Sequence, residues 1–272
     1  MKYIGIIPAR YASSRFPGKP LANLCHKSVI HRVYEQASKA LDTLLVATDD
    51  ERIYNAVEAF EGKVVMTRTD HRCGTDRCLE AYMAITTPQW REQNDNTTVI
   101  INIQGDEPFI QPEQIQTLID CFEQNPDTQI ATLVRPFTAE DTLEDLENPN
   151  TPKVAWSEKT GNALLFSRSV IPHMRGVNKE EWLNKGKYYR HVGIYAYRAD
   201  ILQQITQLPP TPLEQTESLE QLRWLENGYK IQIGITHTPT IGIDTPVSRP
   251  SIPSVRFAAL ETAVTISIAI KT

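Results

Sequence analysis

Short apolar runs alternate with amphipathic stretches through the first half of the chain. Each run has the length of a buried strand, and the stretches between carry apolar side chains at the three- and four-residue spacing of a helix. The predicted strands are residues 3–7, 44–47, 64–66, 98–103 and 130–136. The predicted helices are residues 28–41, 51–60, 75–85 and 113–124. This alternation predicts an α/β fold with a Rossmann-like, mostly parallel sheet and helices on both faces.

The alternation stops after residue 136. Residues 137–153 are acidic and contain proline and asparagine, and three strand-like stretches then follow without long helices between them. We therefore expect residues 137–198 to form an inserted antiparallel subdomain. Later stretches return the chain to the main sheet: helices at 200–207 and 218–227, and strands at 229–235 and 241–243. The expected organisation is a single domain over residues 1–246, followed by an atypical tail, 247–272.

A loop of small residues follows the first predicted strand. Because proline lacks the N–H that a sheet ladder needs, we expect that strand to end at Pro8. The loop carries Arg10, Arg15 and Lys19. Guanidinium groups grip phosphate oxygens in pairs and lysine acts as a point charge, so the loop suits a polyphosphate. Three cations alone would fit a solvated basic loop better, and the spacing is not that of a Walker A loop.

Two aspartates come directly after predicted strands. Asp106 follows the run at 98–103, and Asp244 follows the run at 241–243. Ligands of open parallel sheets bind beyond the carboxyl ends of the strands. One such aspartate is most often a turn former or a helix cap. Two beside a cationic loop favour Mg²⁺, which takes one or two carboxylates together with phosphate oxygens and water; Glu107 is a weaker candidate.

Composition narrows the class of protein. A net charge of −5 argues against non-specific nucleic-acid binding. No apolar run approaches the ~20 residues that cross a bilayer, and strand-like sequence begins directly after Lys2, so neither membrane insertion nor a signal peptide is expected. The cysteines lack C-x-x-C spacing, and reduced thiols in a cytoplasmic protein are favoured over a zinc or disulfide role for Cys73 and Cys78. The other cysteines are Cys25 and Cys121.

Three segments carry a family resemblance: ARYASSRFPGKPL at 9–21, NIQGDEP at 102–108 and GIDTP at 242–246. They resemble the 3-deoxy-manno-octulosonate cytidylyltransferases, a family of sugar nucleotidyltransferases, and the likeness extends over nearly all of residues 1–246. It implies transfer of CMP from CTP to the anomeric hydroxyl of 3-deoxy-D-manno-octulosonate (Kdo), with release of pyrophosphate, for lipopolysaccharide biosynthesis. It also implies a Mg²⁺ cofactor, and a homodimer whose interface the inserted subdomain helps to build.

The resemblance also assigns residues to roles. Asp106 and Asp244 are implied as Mg²⁺ ligands and, with Arg10 and Lys19, as the catalytic set. The residues implied for the nucleotide are Pro8, Ala9, Arg10, Ser14, Arg15, Lys19, Gly74 and Arg77. Those implied for the acceptor sugar are Gln104, Arg168, His191, Tyr195, Glu220 and Gln221. Singly, each has an ordinary structural alternative, such as a surface cation for Arg168 or a helix cap at Thr75 beside Gly74.

Other readings stay open. The same chemistry on the 8-amino analogue of Kdo, or on another acid sugar such as a sialic acid, would leave the same motifs. A catalytically silent nucleotide-binding protein would be expected to lose a metal-binding acid or a phosphate-binding cation, and none is missing. The tail departs from the family, since Pro250 and Pro253 forbid a regular helix through 247–254. We expect residues beyond about 248 to be poorly ordered and dispensable for chemistry.

Overall fold

The computed structural model describes residues 1–12, 16–24 and 26–239. In chain order the described strands are β1 (Lys2–Ala9), β2 (Asn23–Leu24), β3 (Lys27–Ser28), β4 (Leu44–Thr48), β5 (Val64–Met66), β6 (Thr98–Asn102), β7 (Ile130–Pro136), β8 (Lys153–Trp156), β9 (Ala163–Ser167), β10 (Tyr189–Arg198) and β11 (Ile231–Ile235). The described α-helices are α1 (Val29–Ala37), α2 (Glu51–Glu58), α3 (Gly74–Ile85), α4 (Pro88–Asn94), α5 (Pro112–Gln124), α6 (Leu143–Glu147), α7 (Trp182–Lys185), α8 (Ala199–Ile205), α9 (Pro212–Glu217) and α10 (Glu220–Glu226). The predicted strand at 241–243 and the tail lie outside the described residues.

The α/β prediction is confirmed. Seven strands follow one another in the order β11-β7-β10-β6-β1-β4-β5 within the described part of the chain, and β10 alone runs antiparallel to its neighbours. Four described short helices were not predicted: α4, α6, α7 and α9. Two of them, α4 and α9, each begin at a proline that follows a capping threonine, Thr87 or Thr211. Such short helices carry too little apolar periodicity to be recognised, although the cap and the proline are a start signal.

Helices cover both faces of the sheet. The adjacent residues Ile6 and Ile7 of β1 point to opposite faces, and both are fully buried. Ile6 packs in a core with Tyr82 of α3 and Leu202 of α8. Ile7 packs in a second core with Val33 of α1. A strand that is buried on both faces reads as a continuous apolar run, which is why β1 was recognisable.

The expected insertion at 137–198 is only partly separate from the sheet. β8 and β9 form an antiparallel hairpin that branches from β10 through the pair Arg190 and Lys153. β10 itself lies between β6 and β7 in the main sheet, and its residues from Ile194 to Tyr197 are buried. A strand covered on both faces belongs to the centre of a sheet, whatever its direction. The proposed domain boundaries and the tail remain predictions.

The first strand is longer than predicted. Instead of ending at Pro8, β1 continues to Ala9, and Pro8 pairs with Ala47 of β4. On the other side, Ile103 N donates to Ile6 O at 3.0 Å, and residues two apart in a parallel strand face the same neighbour. The nitrogen of Pro8 therefore faces β6, whose pairing with β1 has already ended at Ile6. The missing N–H of Pro8 removes no ladder bond.

The helices and the cysteines bear on two further predictions, membrane insertion and the state of the thiols. In the described ranges, no helix combines the length and the apolar character that crossing a membrane requires. Cys73, Cys78 and Cys121 are free thiols, whereas Cys25 is not among the described residues.

Candidate active site

A cavity of about 110 Å³ opens where β1 and β6 end and α3 begins. Its lining residues come from the end of β1, the start of α3 and the loops after β5 and β6: Pro8, Ala9, Arg10, His71, Cys73, Gly74, Arg77 and Gln104. Five of these were predicted for the nucleotide, and Gln104 was predicted for the acceptor. His71 and Cys73 were missed, although their position directly before the Gly-Thr-Asp-Arg motif was a usable signal.

Glycines allow the cavity to form at this place. A Cβ on Gly74 would lie 3.2 Å from Pro8 Cγ, so the start of α3 packs tightly on the end of β1. A Cβ on Gly105 would lie 2.9 Å from the backbone oxygen of Pro8, which is closer than real Cβ atoms approach. Both glycines let backbone from two loops reach the strand end.

The predicted phosphate-binding lysine and the predicted metal ligand are in direct contact. Lys19 Nζ lies 2.8 Å from Asp106 Oδ2. The lysine side chain is 8% exposed and the aspartate side chain 40% exposed. Gly18 precedes Lys19 with φ +74°, a left-handed conformation that favours glycine and turns the chain into the short 3₁₀ helix Lys19–Leu21. The lysine is thus held at the site while the aspartate stays open to solvent.

Asp106 is suited to a magnesium ion. No group of three or more His, Cys, Asp or Glu side chains within residues 1–12, 16–24 and 26–239 is arranged to hold a metal. A single exposed carboxylate at a strand end still fits Mg²⁺, because phosphate oxygens and water complete the coordination of that ion. Asp244, the second predicted ligand, and the loop residues Ser14 and Arg15 lie outside the described residues.

Arg77, which lines the cavity, bonds to residues of two neighbouring loops. Its guanidinium is 4% exposed and donates to Asp49 Oδ2 at 2.7 Å. It also donates to Thr67 Oγ1, just after β5. This arginine joins α3 to the loops after β4 and β5, which is a structural role. Arg10, by contrast, is exposed at the end of β1.

A second group of predicted residues forms a wall made by β10 and α10. The ring of Tyr195 lies 5.2 Å from that of Trp224 and 5.3 Å from that of His191. Five buried polar atoms near this wall have no hydrogen-bond partner in the described part of the chain: Asn102 Oδ1, Tyr195 Oη, Tyr197 Oη, Gln221 Nε2 and Trp224 Nε1. Unpaired buried polar groups cost about 1–3 kcal/mol each, so a ligand rich in hydroxyls that paired with them would recover that cost.

His191 is a neutral member of this wall. Burial lowers the pKa of its imidazole from the ordinary 6.5 to about 4. Its Nε2 lies 3.1 Å from Thr132 Oγ1, and its ring packs edge-on against Phe166. At neutral pH it can offer a hydrogen bond but no charge.

Glu220 begins α10 and uses both carboxylate oxygens. Arg223 Nη2 donates to Oε1 at 2.9 Å, Cys73 Sγ donates to the same oxygen at 3.1 Å, and Thr75 Oγ1 donates to Oε2 at 3.0 Å. Burial raises the pKa of this carboxyl, and these three donors oppose the rise. The helix cap of α3 is Cys73, so Thr75 is not the cap that the alternative reading expected.

Arg168 is occupied by backbone oxygens. Its Nε donates to Glu217 O at 2.6 Å and its Nη1 donates to Pro149 O at 2.8 Å. Its Nη2 lies 3.4 Å from Ser218 O. The guanidinium therefore fastens the end of α9, just before Glu220 and Gln221. The structure brings four of the residues predicted for the acceptor into one wall: Tyr195, His191, Glu220 and Gln221. Arg168 lies outside this wall and holds the backbone at the end of α9, which leads into it.

Comparison with known proteins identifies the family. A family model described as Cytidylyltransferase matches residues 4–231. A 3-deoxy-manno-octulosonate cytidylyltransferase of Parabacteroides distasonis is 60% identical over 247 residues, covering 90% of this chain and 94% of the relative. One of Phocaeicola vulgatus is 61% identical over 246 residues, with the same coverage of 90% and 94%.

A solved structure gives the same result. A CMP:2-keto-3-deoxy-manno-octonic acid synthetase complexed with CTP is 41% identical and superposes with a TM-score of 0.79, covering 90% of this chain and 94% of that one. The resemblance read from the motifs is confirmed. The chain belongs to the 3-deoxy-manno-octulosonate cytidylyltransferase family.

Proposed function

We propose that this enzyme transfers CMP from CTP to the anomeric hydroxyl of Kdo, giving CMP-Kdo and pyrophosphate for lipopolysaccharide biosynthesis. One observation carries the proposal: in a chain of this family, the strand-end cavity adjoins a wall of buried polar atoms that have no hydrogen-bond partner among the described residues. A cavity with backbone groups and cations fits a nucleoside triphosphate. The wall fits a sugar with many hydroxyls.

The nucleotide is proposed to bind at the end of β1. Pro8 and Ala9 offer backbone groups to the edge of the cytosine ring, and Gly74 permits the close approach. Arg10 and Lys19 face the phosphates, since charge-assisted hydrogen bonds to phosphate oxygens are among the strongest in proteins. Ser14, Arg15 and Arg77 are proposed to assist them, with Arg77 acting from a position fixed by Asp49.

The sugar is proposed to bind against β10 and α10. Gln221 Nε2 and Tyr195 Oη are buried donors with no described partner, and Gln104 extends this set toward the cavity. His191 adds a neutral imidazole. Arg168 is proposed to meet the carboxylate of the sugar. Because its guanidinium also fastens the end of α9, its loss would disturb Glu220 and Gln221 as well.

The reaction needs positioning and charge stabilisation, and it needs no covalent intermediate. The anomeric hydroxyl loses its proton to solvent as its oxygen bonds to the α-phosphorus in line, while the bond from that phosphorus to the bridging oxygen breaks and pyrophosphate leaves on the opposite side. Lys19 and Arg10 stabilise the negative charge that grows on the leaving group. Asp106 and Asp244 would hold Mg²⁺, which supplies further charge neutralisation when bound. Asp106 also keeps Lys19 in place through their 2.8 Å ion pair. The walls hold the two substrates in line.

A cytoplasmic homodimer is proposed as the working form. The β8–β9 hairpin leaves Leu164 65% exposed and Leu165 38% exposed, an apolar surface suited to a second copy of the chain. Substituting Leu164 with Asp should shift sedimentation toward the monomer. An unchanged sedimentation coefficient would place the interface elsewhere. CTP and thiols kept reduced fit the cytoplasm.

Pyrophosphate release tests the reaction directly. Release should require CTP and Kdo together, and UTP, ATP and GTP should not replace CTP. Faster release with the 8-amino analogue or a sialic acid would identify the sugar differently and keep the chemistry. No release with any acid sugar, despite measurable CTP binding, would indicate a silent nucleotide-binding protein.

A further inference from the structure

Two hydrogen bonds connect the nucleotide cavity to the acceptor wall. The hydroxyl of Thr75, in the first turn of α3, donates to Glu220 Oε2 at 3.0 Å. The thiol of Cys73, the cap of the same helix, donates to Glu220 Oε1 at 3.1 Å. These partners are 145 and 147 residues apart in the sequence. The bonds therefore join two parts of the fold that no local motif relates.

Each end of this connection belongs to a different subsite. Cys73 and Gly74 line the cavity at the end of β1. Glu220 directly precedes Gln221, whose side-chain nitrogen is buried in the acceptor wall and has no described partner. Thr75 is 2% exposed, so its hydroxyl is hidden from solvent and has little freedom to exchange partners. The orientation of α10 relative to α3 thus depends on a contact that is buried on the α3 side and partly exposed at Glu220, whose side chain is 26% exposed.

We propose that Thr75 and Cys73 are positioning residues, which fix Glu220 and thereby set the acceptor wall in register with the bound nucleotide. This inference rests on the proposed function, because it assigns the wall to the sugar. Neither residue has to touch the reacting atoms. Their effect reaches the sugar through the carboxylate that they hold.

The surroundings of Glu220 explain why two added donors matter. Arg223 is the cation beside this carboxylate, at 2.9 Å, whereas Asp76, Tyr195 and Tyr197 face it without neutralising it. A buried carboxylate is stable in its ionised form only when hydrogen bonds replace the lost water. Removing a donor should weaken the preference of Glu220 for its present orientation. A hydroxyl is a better donor than a thiol, so Thr75 should contribute more than Cys73.

A matched set of variants tests the positioning role. Thr75→Val keeps the shape and removes the hydroxyl, Thr75→Ser keeps the hydroxyl, and Thr86→Val removes a hydroxyl at the far end of α3, where it bonds to Tyr82 O. Thr75→Val should raise the KM for Kdo about fivefold to tenfold, the worth of one buried hydrogen bond. CTP affinity by calorimetry should stay unchanged. Thr75→Ser and Thr86→Val should keep the wild-type KM, and Cys73→Ala should show a smaller rise.

A double-variant comparison separates positioning from general damage. If Thr75 acts through Glu220, adding Thr75→Val to Glu220→Ala, which removes the acceptor oxygen, should raise the KM no further. Additive effects, or an equal loss of CTP affinity, would overturn the inference.

A second measurement needs no substrate. Removing the Thr75 hydroxyl should raise the pKa of Glu220, followed by carbon NMR of the labelled carboxyl, while Thr75→Ser and Thr86→Val leave it in place. An unmoved pKa would overturn the inference even in an active enzyme. Failure of the wild-type protein to use any acid sugar would instead overturn the proposed function, and with it the positioning role.

Discussion

The proposed site has two sides that are built differently: the cavity at the end of β1, called the nucleotide side, and the wall made by β10 and α10, called the acceptor side. On the nucleotide side, glycines in two neighbouring loops let backbone pack closely on the end of β1, and the flanking cations differ in exposure, since Lys19 and Arg77 are buried and Arg10 is exposed. On the acceptor side, side chains from β10 and α10 meet in a buried wall whose polar atoms lack partners in the described structure. A base can be read by backbone alone, but a sugar with many hydroxyls needs side-chain donors and acceptors. The two sides should therefore respond to different substitutions.

The largest expected effect on activity is at Asp106, which lies between the two sides. Asp106→Asn removes the charge of the proposed metal ligand and weakens the ion pair to Lys19. Turnover should fall about 10²–10³-fold, the usual cost of losing a main transition-state contact. Both KM values should change little, as steady-state kinetics with saturating Mg²⁺ would show. The exposed Asp127→Asn serves as a control. Retention of near-normal turnover in Asp106→Asn would remove Asp106 from the catalytic set.

A glycine substitution should damage the nucleotide side selectively. Gly105→Ala places a Cβ 2.9 Å from Pro8 O, so the loop must move away from the strand end. Overpacking of this kind costs about 1–3 kcal/mol, and we expect the KM for CTP to rise about tenfold. Gly193→Ala is the control, because no described atom lies within 4 Å of its Cβ position. An equal rise in the KM for Kdo would show that the two sides are not separable.

The pH dependence of the free energy of unfolding should show how far His191, in the acceptor wall, is shielded from water. Burial lowers the pKa of His191 to about 4 in the folded state, against 6.5 for an ordinary imidazole. The unfolded chain therefore binds this proton first as the pH falls. Stability is complete above pH 6.5 and is lost progressively toward pH 4, by about 2 kcal/mol at pH 5.

The variant His191→Gln isolates that contribution. Its free energy of unfolding, measured by denaturant titration at pH 7.5 and pH 5, should decline less than that of the wild-type protein. The same decline in both proteins would mean that His191 is solvated.

The smallest expected effect concerns one side-chain donor. Gln221→Met keeps the length of the side chain and removes the buried amide, whose nitrogen has no described partner. We expect the KM for Kdo to rise about fivefold, with an unchanged or slightly raised thermal midpoint, because no protein hydrogen bond to that nitrogen is lost.

Gln114→Met is the matched control for this variant. Gln114 is also buried, but its Oε1 accepts from Gln111 N at the start of α5. This variant should lower the thermal midpoint without changing either KM. A lowered midpoint in Gln221→Met would indicate that the amide serves the fold.

The nucleotide side was also the more predictable one. Pro8, Ala9, Gly74 and Arg77, which the family resemblance assigned to the nucleotide, line one cavity, and strand ends of a parallel sheet do meet at one edge. Ser14, Arg15 and Asp244 stay predictions. The antiparallel direction of β10 was expected, but its place between β6 and β7 in the main sheet was not, since alternation defines a strand without saying which neighbours it joins.

The acceptor side was found by family motifs and not by local pattern. No periodicity relates Thr75 to Glu220, so the bond between them follows from packing alone. The occupation of Arg168 by backbone oxygens was missed for the same reason, since a cation in the sequence does not show which carbonyls surround it. A sequence shows the chemistry of neighbouring residues, whereas contacts between distant segments can be identified only when the arrangement of the strands and helices is known.

The reversed strand β10 has a consequence for the order of folding. Among the described strands it alone joins the β7–β11 pair to the β6–β1–β4–β5 group. The latter group contains the strand ends of the nucleotide cavity and can form from residues before 103, whereas β10 must pair across about a hundred residues with β6. Closing so long a loop is slow. We therefore expect the half that is proposed to hold CTP to assemble first and the half that is proposed to hold the sugar to be completed last, so that the enzyme acquires specificity for its acceptor in the final step of its own folding.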